Sequence, residues 1–182
     1  MPRYAAFLRG MNLGRRRVRN EELVEAFEAM GLANASAFLA SGNVVFDAGG
    51  RGAKSPGALR RRIEDGLLGA FDYAVPTFIR SAAEIQAIAE CDAKPLVGES
   101  DGKPQIVLLQ DSPSPAARKA ILELATSDDR LAWLDRELLW RPAGPMSRSE
   151  LDVRAIEKLA GGVMTIRTVR TIERMAAKHF SE

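Results

Sequence analysis

One succession of short apolar runs and amphipathic stretches occurs twice along this chain of 182 residues, and it admits few topologies. Tyr4 to Leu8 is an apolar run closed by Arg9-Gly10, too short for a helix and flanked as a buried strand is. After a Gly- and Arg-rich stretch from Gly10 to Arg17, Asn20 is placed to cap a helix. Glu21 and Glu22 in its first turn are favourable against the helix dipole. Leu23, Phe27 and Met30 share one face of that helix, and Gly31 is a natural stop. Ala37 to Leu39 and Val44 to Phe46 flank Ala40-Ser41-Gly42-Asn43, whose Gly and Asn tolerate positive φ, so an antiparallel hairpin is expected. Gly49 to Gly52 reads as a loop, and Ser55-Pro56 as an N-cap with proline in the first helical position. Leu59, Ile63, Leu67 and Phe71 recur every four residues, and Val75 to Ile79 supplies a closing strand.

The second half repeats the order. Ser81 and Glu84 form a capping box for a connecting helix carrying Ile85 and Ile88, and Lys94 to Pro104 reads as a linker. Gln105 to Leu109 is the strongest strand signal in the chain, and Ser114-Pro115 opens a helix with Ile121 inward. Leu131 to Leu134 and Leu138 to Trp140 make a second hairpin turning near Asp135-Arg136. Ser149, with Asp152 three residues on, is expected to start a helix ended by Gly161-Gly162, before a strand over Val163 to Ile166 and a helix from Thr168 to Lys178. Strand, helix, strand, strand, helix, strand is the split β-α-β order. The expectation is therefore an α+β fold of two consecutive ferredoxin-like units with antiparallel sheets, plus a linking helix and a C-terminal helix. Residues 1–80 and 103–182 form the units, and 81–102 connect them. The halves agree in element order and not in residues.

Composition narrows the function classes. A chain 46% hydrophobic and 27% charged is expected to pack a core. Its formal net charge of +2 is too even for a dedicated nucleic-acid binder, so any basic surface must be local. Cys91 is the only cysteine and cannot form an intrachain disulfide. The N-terminal apolar run is too short for a signal segment, and no stretch has the length of a membrane span, so a cytoplasmic location is expected. His179 is the only histidine, near an end expected to fray, which argues against a His-based triad or metal site. No cofactor motif is present: the glycines of Arg9 to Gly14 match neither a dinucleotide fingerprint nor a P-loop.

Topology gathers the polar residues. A helical crossover makes the first strand and the first hairpin strand run parallel, so the end of the former and the tip of the hairpin share one end of the sheet. Arg9, Asn12, Arg15, Arg16 and Arg17 should lie there beside Ser41, Gly42 and Asn43. Guanidinium forks and close-approaching backbone N–H groups suit a phosphate or carboxylate, and the helix starting near Asn20 adds a positive dipole end. Arg60 to Arg62 reads as a solvated helix face, and Arg170 and Arg174 share a face of the last helix. Trp133 and Trp140 are expected to pack in or beside the core, and Asp128-Asp129 to serve a turn.

Three stretches carry a resemblance. Met1 to Gly14, with its Leu8-Arg9-Gly10-Met11-Asn12-Leu13-Gly14 ending, and Phe38 to Phe46, with Ser41-Gly42-Asn43-Val44, closely resemble the bacterial family called domain of unknown function 1697. Thr165 to Thr171 is similar to that family's late Thr-x-Arg-Asn-Trp-x-Thr motif, with Thr168 and Val169 in place of the usual Asn and Trp. Arg15 stands where a second glycine is common. The resemblance implies two ferredoxin-like domains and adds Arg167 and Thr171 to the candidate ligand-binding set; it implies no activity. Three functions compete on these residues. The first is binding of an anionic small molecule at the Arg9, Asn12, Ser41 and Asn43 end or in a cleft between domains. The second is a nucleic-acid module resting on Arg15 to Arg17 and the C-terminal arginines, without the aromatic RNA-binding motifs such folds use. The third is a homo-oligomeric assembly through sheet edges.

Overall fold

The computed structural model describes residues 1–14, 16–40, 42–49 and 55–181. Its elements run β1 (Arg3–Leu8), α1 (Asn20–Ala29), β2 (Ala33–Ala37), β3 (Asn43–Asp47), α2 (Pro56–Phe71), β4 (Thr77–Ser81) and α3 (Ala82–Ala89). They continue as α4 (Lys94–Val97), β5 (Gln105–Leu109), α5 (Pro115–Leu122), β6 (Asp129–Leu134), β7 (Glu137–Pro142), α6 (Val153–Ala160), β8 (Met164–Thr168) and α7 (Val169–His179). A 3₁₀ turn, Met146–Arg148, precedes α6. The first sheet has the order β2-β3-β1-β4 and the second β6-β7-β5-β8, with every pairing antiparallel. Each is the strand order of a ferredoxin-like unit, and the chain consists of two. By their contacts the units comprise Met1–Gln86 with Met175–Glu182, and Ala87–Arg174.

In the first unit the four-residue repeat of α2 puts Leu59, Ile63 and Leu67 wholly out of water against Ala6, Leu8, Val44 and Phe46 of the sheet. Each such side chain contributes about 1.5–3 kcal/mol by leaving water. Phe27 of α1 meets the Phe46 ring at a centroid distance of 5.3 Å. The opposite sheet face is buried too: Ala5, Phe7, Val45 and Phe78 are all shielded, which explains why the β1 sequence is continuously apolar instead of alternating. Ser55 caps α2 by accepting from the Ala58 N–H at 3.2 Å, and Ser81 and Glu84 cap α3 reciprocally, both as the sequence predicts. Arg3 closes the far end of the sheet: its guanidinium grips Asp47 at 2.9 and 3.4 Å and reaches the His179 carbonyl at 3.2 Å.

The second unit packs Val107, Leu109, Leu138, Trp140, Ile156 and Met164 into its own core, with Trp133 at the edge. Asp129 is fully buried and accepts from Trp140 Nε1 (2.7 Å), Ser149 Oγ (2.7 Å) and Thr126 Oγ1 (2.8 Å). This carboxylate fastens the start of β6 to β7 and to the approach to α6, well beyond the turn role its sequence position suggests.

Several expectations are corrected. The first arm of the first hairpin is Ala33–Ala37, not Ala37 to Leu39: Leu39 has φ +59, and Phe38, Leu39, Ala40 and Gly42 lie outside both strands. The Ala-Asn-Ala-Ser-Ala sequence of β2 has no strand character of its own and is held by pairing with β3, with an irregularity beside Asn34. Arg19, not Asn20, precedes α1, and its N–H donates to Glu22 at 2.8 Å. Asp152, not Ser149, caps α6, which starts only at Val153; the Ser149 hydroxyl donates to Asp129 and accepts from the Leu151 N–H at 3.0 Å. The Lys94 to Pro104 linker contains the single-turn helix α4, which lies against β6 and β7. The C-terminal segment is helical through His179, with Phe180 buried and its carbonyl accepting from Gln86 at 3.0 Å, so this end is anchored and not frayed. Among the described residues no helix is long and apolar enough to cross a membrane.

Candidate functional site

At the end of β1 the chain is fastened on both sides. The Leu8 N–H donates to the Gly42 carbonyl at 2.7 Å, and the Arg9 N–H to the Pro76 carbonyl at 3.0 Å. The hairpin tip, the segment leaving β1 and the segment entering β4 thereby meet at one end of the first sheet. Gly42 has φ +70, and a Cβ placed on it would lie 3.3 Å from Leu8 Cβ, the Leu8 carbonyl oxygen and Met11 Cγ. Only glycine allows that approach without displacement.

Within this end the candidate side chains have separate roles. Asn43 is completely buried and donates through Nδ2 to the Phe38 carbonyl at 3.0 Å, while the Phe38 N–H donates to the Asn43 carbonyl at 2.8 Å. It closes the hairpin loop from inside. Asn12 is exposed and its Oδ1 accepts from the Val18 N–H at 2.9 Å, tying down the stretch that follows β1. Arg16 is exposed and stacks with its guanidinium carbon 4.0 Å from the centre of the Tyr73 ring; the Tyr73 hydroxyl donates to the Met11 carbonyl at 3.1 Å. Arg17 is exposed and donates to the Arg16 carbonyl at 3.2 Å, and Arg9 is half-buried. Arg15 and Ser41 lie outside the described residues.

The electrostatics differ from expectation in one respect. The first turn of α1 is occupied by its own Glu22, whose carboxyl is held below the usual carboxylate range by hydrogen bonds from the Arg19 backbone and side chain. The helix start is thus answered internally and adds little to an incoming anion. Among the described residues neither Arg16 nor Arg17 has a carboxylate partner, and no His, Cys, Asp or Glu cluster is gathered that could hold a metal ion.

Arg167 and Thr171 belong to the second unit. Arg167 donates to Thr165 Oγ1 at 2.7 Å and to the Ile166 carbonyl at 2.9 Å, and burial pushes its pKa down to about 10, so it stays charged at neutral pH. Thr171 and Thr168 share a hydroxyl contact of 2.9 Å, and the Thr171 N–H donates to Thr168 Oγ1 at 3.1 Å, so this pair caps the start of α7. Arg9, Asn12, Arg16 and Asn43 are gathered in one unit, and Arg167 and Thr171 in the other. Sequence reasoning missed Tyr73 as the platform for Arg16. The only hint was an aromatic just past Asp72, the left-handed residue (φ +61) that ends α2.

Comparisons with known proteins agree with this architecture. The model of the family described as protein of unknown function (DUF1697) matches residues 1–139. No curated protein matches the chain. Among solved structures, that of the conserved bacterial protein SP0830 from Streptococcus pneumoniae is similar at a TM-score of 0.73 and 20% identity, covering 98% of this chain and 99% of that one. At this identity the likeness is one of fold.

Proposed function

We propose, for a chain that belongs to the DUF1697 family, that its first unit binds a phosphate- or carboxylate-bearing small molecule at the loop end of β1, in the cytoplasm. The observation that carries this reading is the hydrogen bond from Leu8 to Gly42. It locks two separate loops together at an end that bears Arg9, Arg16 and Arg17. The exposed guanidiniums of Arg16 and Arg17 have no carboxylate partners among the described residues, and Tyr73 holds that of Arg16 against its ring. Groups so placed are suited to bidentate capture of an oxyanion. Asn12 and Asn43 serve as supports that fix the loops, and the ligand contacts fall to the arginines and to backbone N–H groups. Ser41 and Arg15 complete the proposed set.

The test is a thermal-shift screen of the wild-type chain against phosphorylated and carboxylated metabolites, divalent metals and short oligonucleotides at low salt. A ligand at about a hundred times its dissociation constant adds about 2.7 kcal/mol. That is a shift of several degrees for a chain of this size. The reading expects a selective shift with a small anion that disappears in Arg9→Gln and Arg16→Gln. A shift with oligonucleotides alone, erased by salt, would replace it with the nucleic-acid reading.

A further inference from the structure

A separate cavity of about 540 Å³ lies wholly within the second unit, on the side of the sheet where α4 rests against β6 and β7. Arg130 of β6 and Arg141 of β7 both line it and are paired directly opposite each other in the sheet register. Alternation along the strands puts their side chains on one face, opposite to that of Leu131 and Trp140. Directly opposed residues hold their Cβ atoms about 5 Å apart, and like charges there repel. Among the described residues neither guanidinium has a hydrogen-bond or ion-pair partner, and Arg141 Nε is shielded from water as well. A shielded N–H donor with no acceptor is an unfavourable arrangement that a bound acceptor relieves.

The rest of the lining sets the kind of acceptor. Glu99 is already engaged by Lys94 at 2.8 Å, which leaves Asp128 as the one uncommitted carboxylate of the lining against two arginines. The balance is a single positive charge. Leu96 and Val97 of α4 supply an apolar wall. We propose that this cavity is a second ligand site, which takes a small monocarboxylate with its head between Arg130 and Arg141 and its apolar body against α4. The site shares no residue with the loop end of β1 and stands or falls independently of it.

Calorimetric titration of the full chain with octanoate tests this, with acetate (head alone) and octan-1-ol (body alone) as comparisons. The proposal expects octanoate to bind more tightly than either, and Arg141→Gln and Arg130→Gln each to weaken it about tenfold or more. Lys119→Gln, an exposed residue of α5 outside both sites, should leave it unchanged. Because neither arginine has a partner to lose, both variants should keep the wild-type fold. At low salt without ligand their melting temperature should equal or exceed that of the wild type, as the repulsion is removed. Octanoate affinity equal in wild type and both variants, octan-1-ol binding as tightly as octanoate, or no octanoate binding at all would overturn the proposal.

Discussion

Replacing Gly42 with alanine tests the junction on which the candidate site rests. Two effects add. The backbone at φ +70 is left-handed, where an alanine is less favourable than glycine by about 1–2 kcal/mol. The new Cβ would also sit 3.3 Å from two Leu8 atoms and from Met11 Cγ, and forcing such neighbours apart costs about 1–3 kcal/mol. The reduced freedom of the unfolded chain returns about 0.4–1 kcal/mol, so the net expectation is a loss of about 1–4.5 kcal/mol, centred near 3. Gly14→Ala is the control, since Gly14 has φ +61 but a Cβ added there would meet nothing within 4 Å. It should lose only the backbone part, about 1 kcal/mol or less. Urea unfolding followed by far-ultraviolet circular dichroism reads both. With a slope of about 2 kcal/mol per molar, Gly42→Ala should lower the midpoint by about 1.5 M at unchanged slope. Equal midpoints for the two variants would refute the close approach of the hairpin tip to β1 and Met11.

The buried carboxylate of Asp129 should prove a structural hub: Asp129→Ala leaves three donors without an acceptor and should lose about 3 kcal/mol or more in urea unfolding. Asp129→Asn keeps the carbonyl facing Trp140 and Ser149 and can donate to Thr126, so its loss should be well under half as large. His179 should impose a pH dependence on stability. Burial, then Lys178 and Arg3, push its pKa below the ordinary value, and its ring packs edge-on against Phe38. Above about pH 6.5 both folded and unfolded chains hold it neutral, whereas below that value the unfolded chain takes the proton more readily and stability falls. His179→Phe should flatten the urea midpoint between neutrality and about pH 5.5, and an unchanged slope there would contradict the packing of α7.

How much was legible follows from where the information is stored. The helix starts at Ser55 and Ser81, the core face of α2, the central strand β5 and the overall strand order all depend on local periodicity and capping, which a single sequence carries. β2 depends on its partner: five small or polar residues become a strand because β3 offers hydrogen bonds, and no local pattern announces that. Ser149 illustrates a long-range demand, since its hydroxyl donates to a buried carboxylate twenty residues earlier in the chain while α6 starts only after Asp152. In the candidate site the convergence of Arg9 with Gly42 and Asn43 followed from topology, but the roles within it did not. Asn43 turns inward because the carbonyl of buried Phe38 needs a donor, whereas exposed Asn12 accepts from the Val18 N–H in a local turn of the chain. The Arg130–Arg141 pair depends on the register of β6 against β7 and had no separate signal in the sequence.

An amide NMR titration of the full chain with inorganic phosphate tests the central claim most directly. Binding at the loop end of β1 predicts that the amides of Arg9 to Asn12 and of Gly42 and Asn43 shift together along one saturating curve, and that Arg9→Gln abolishes the response. Silence at those amides while signals elsewhere saturate, or the same curve in Arg9→Gln, would contradict it.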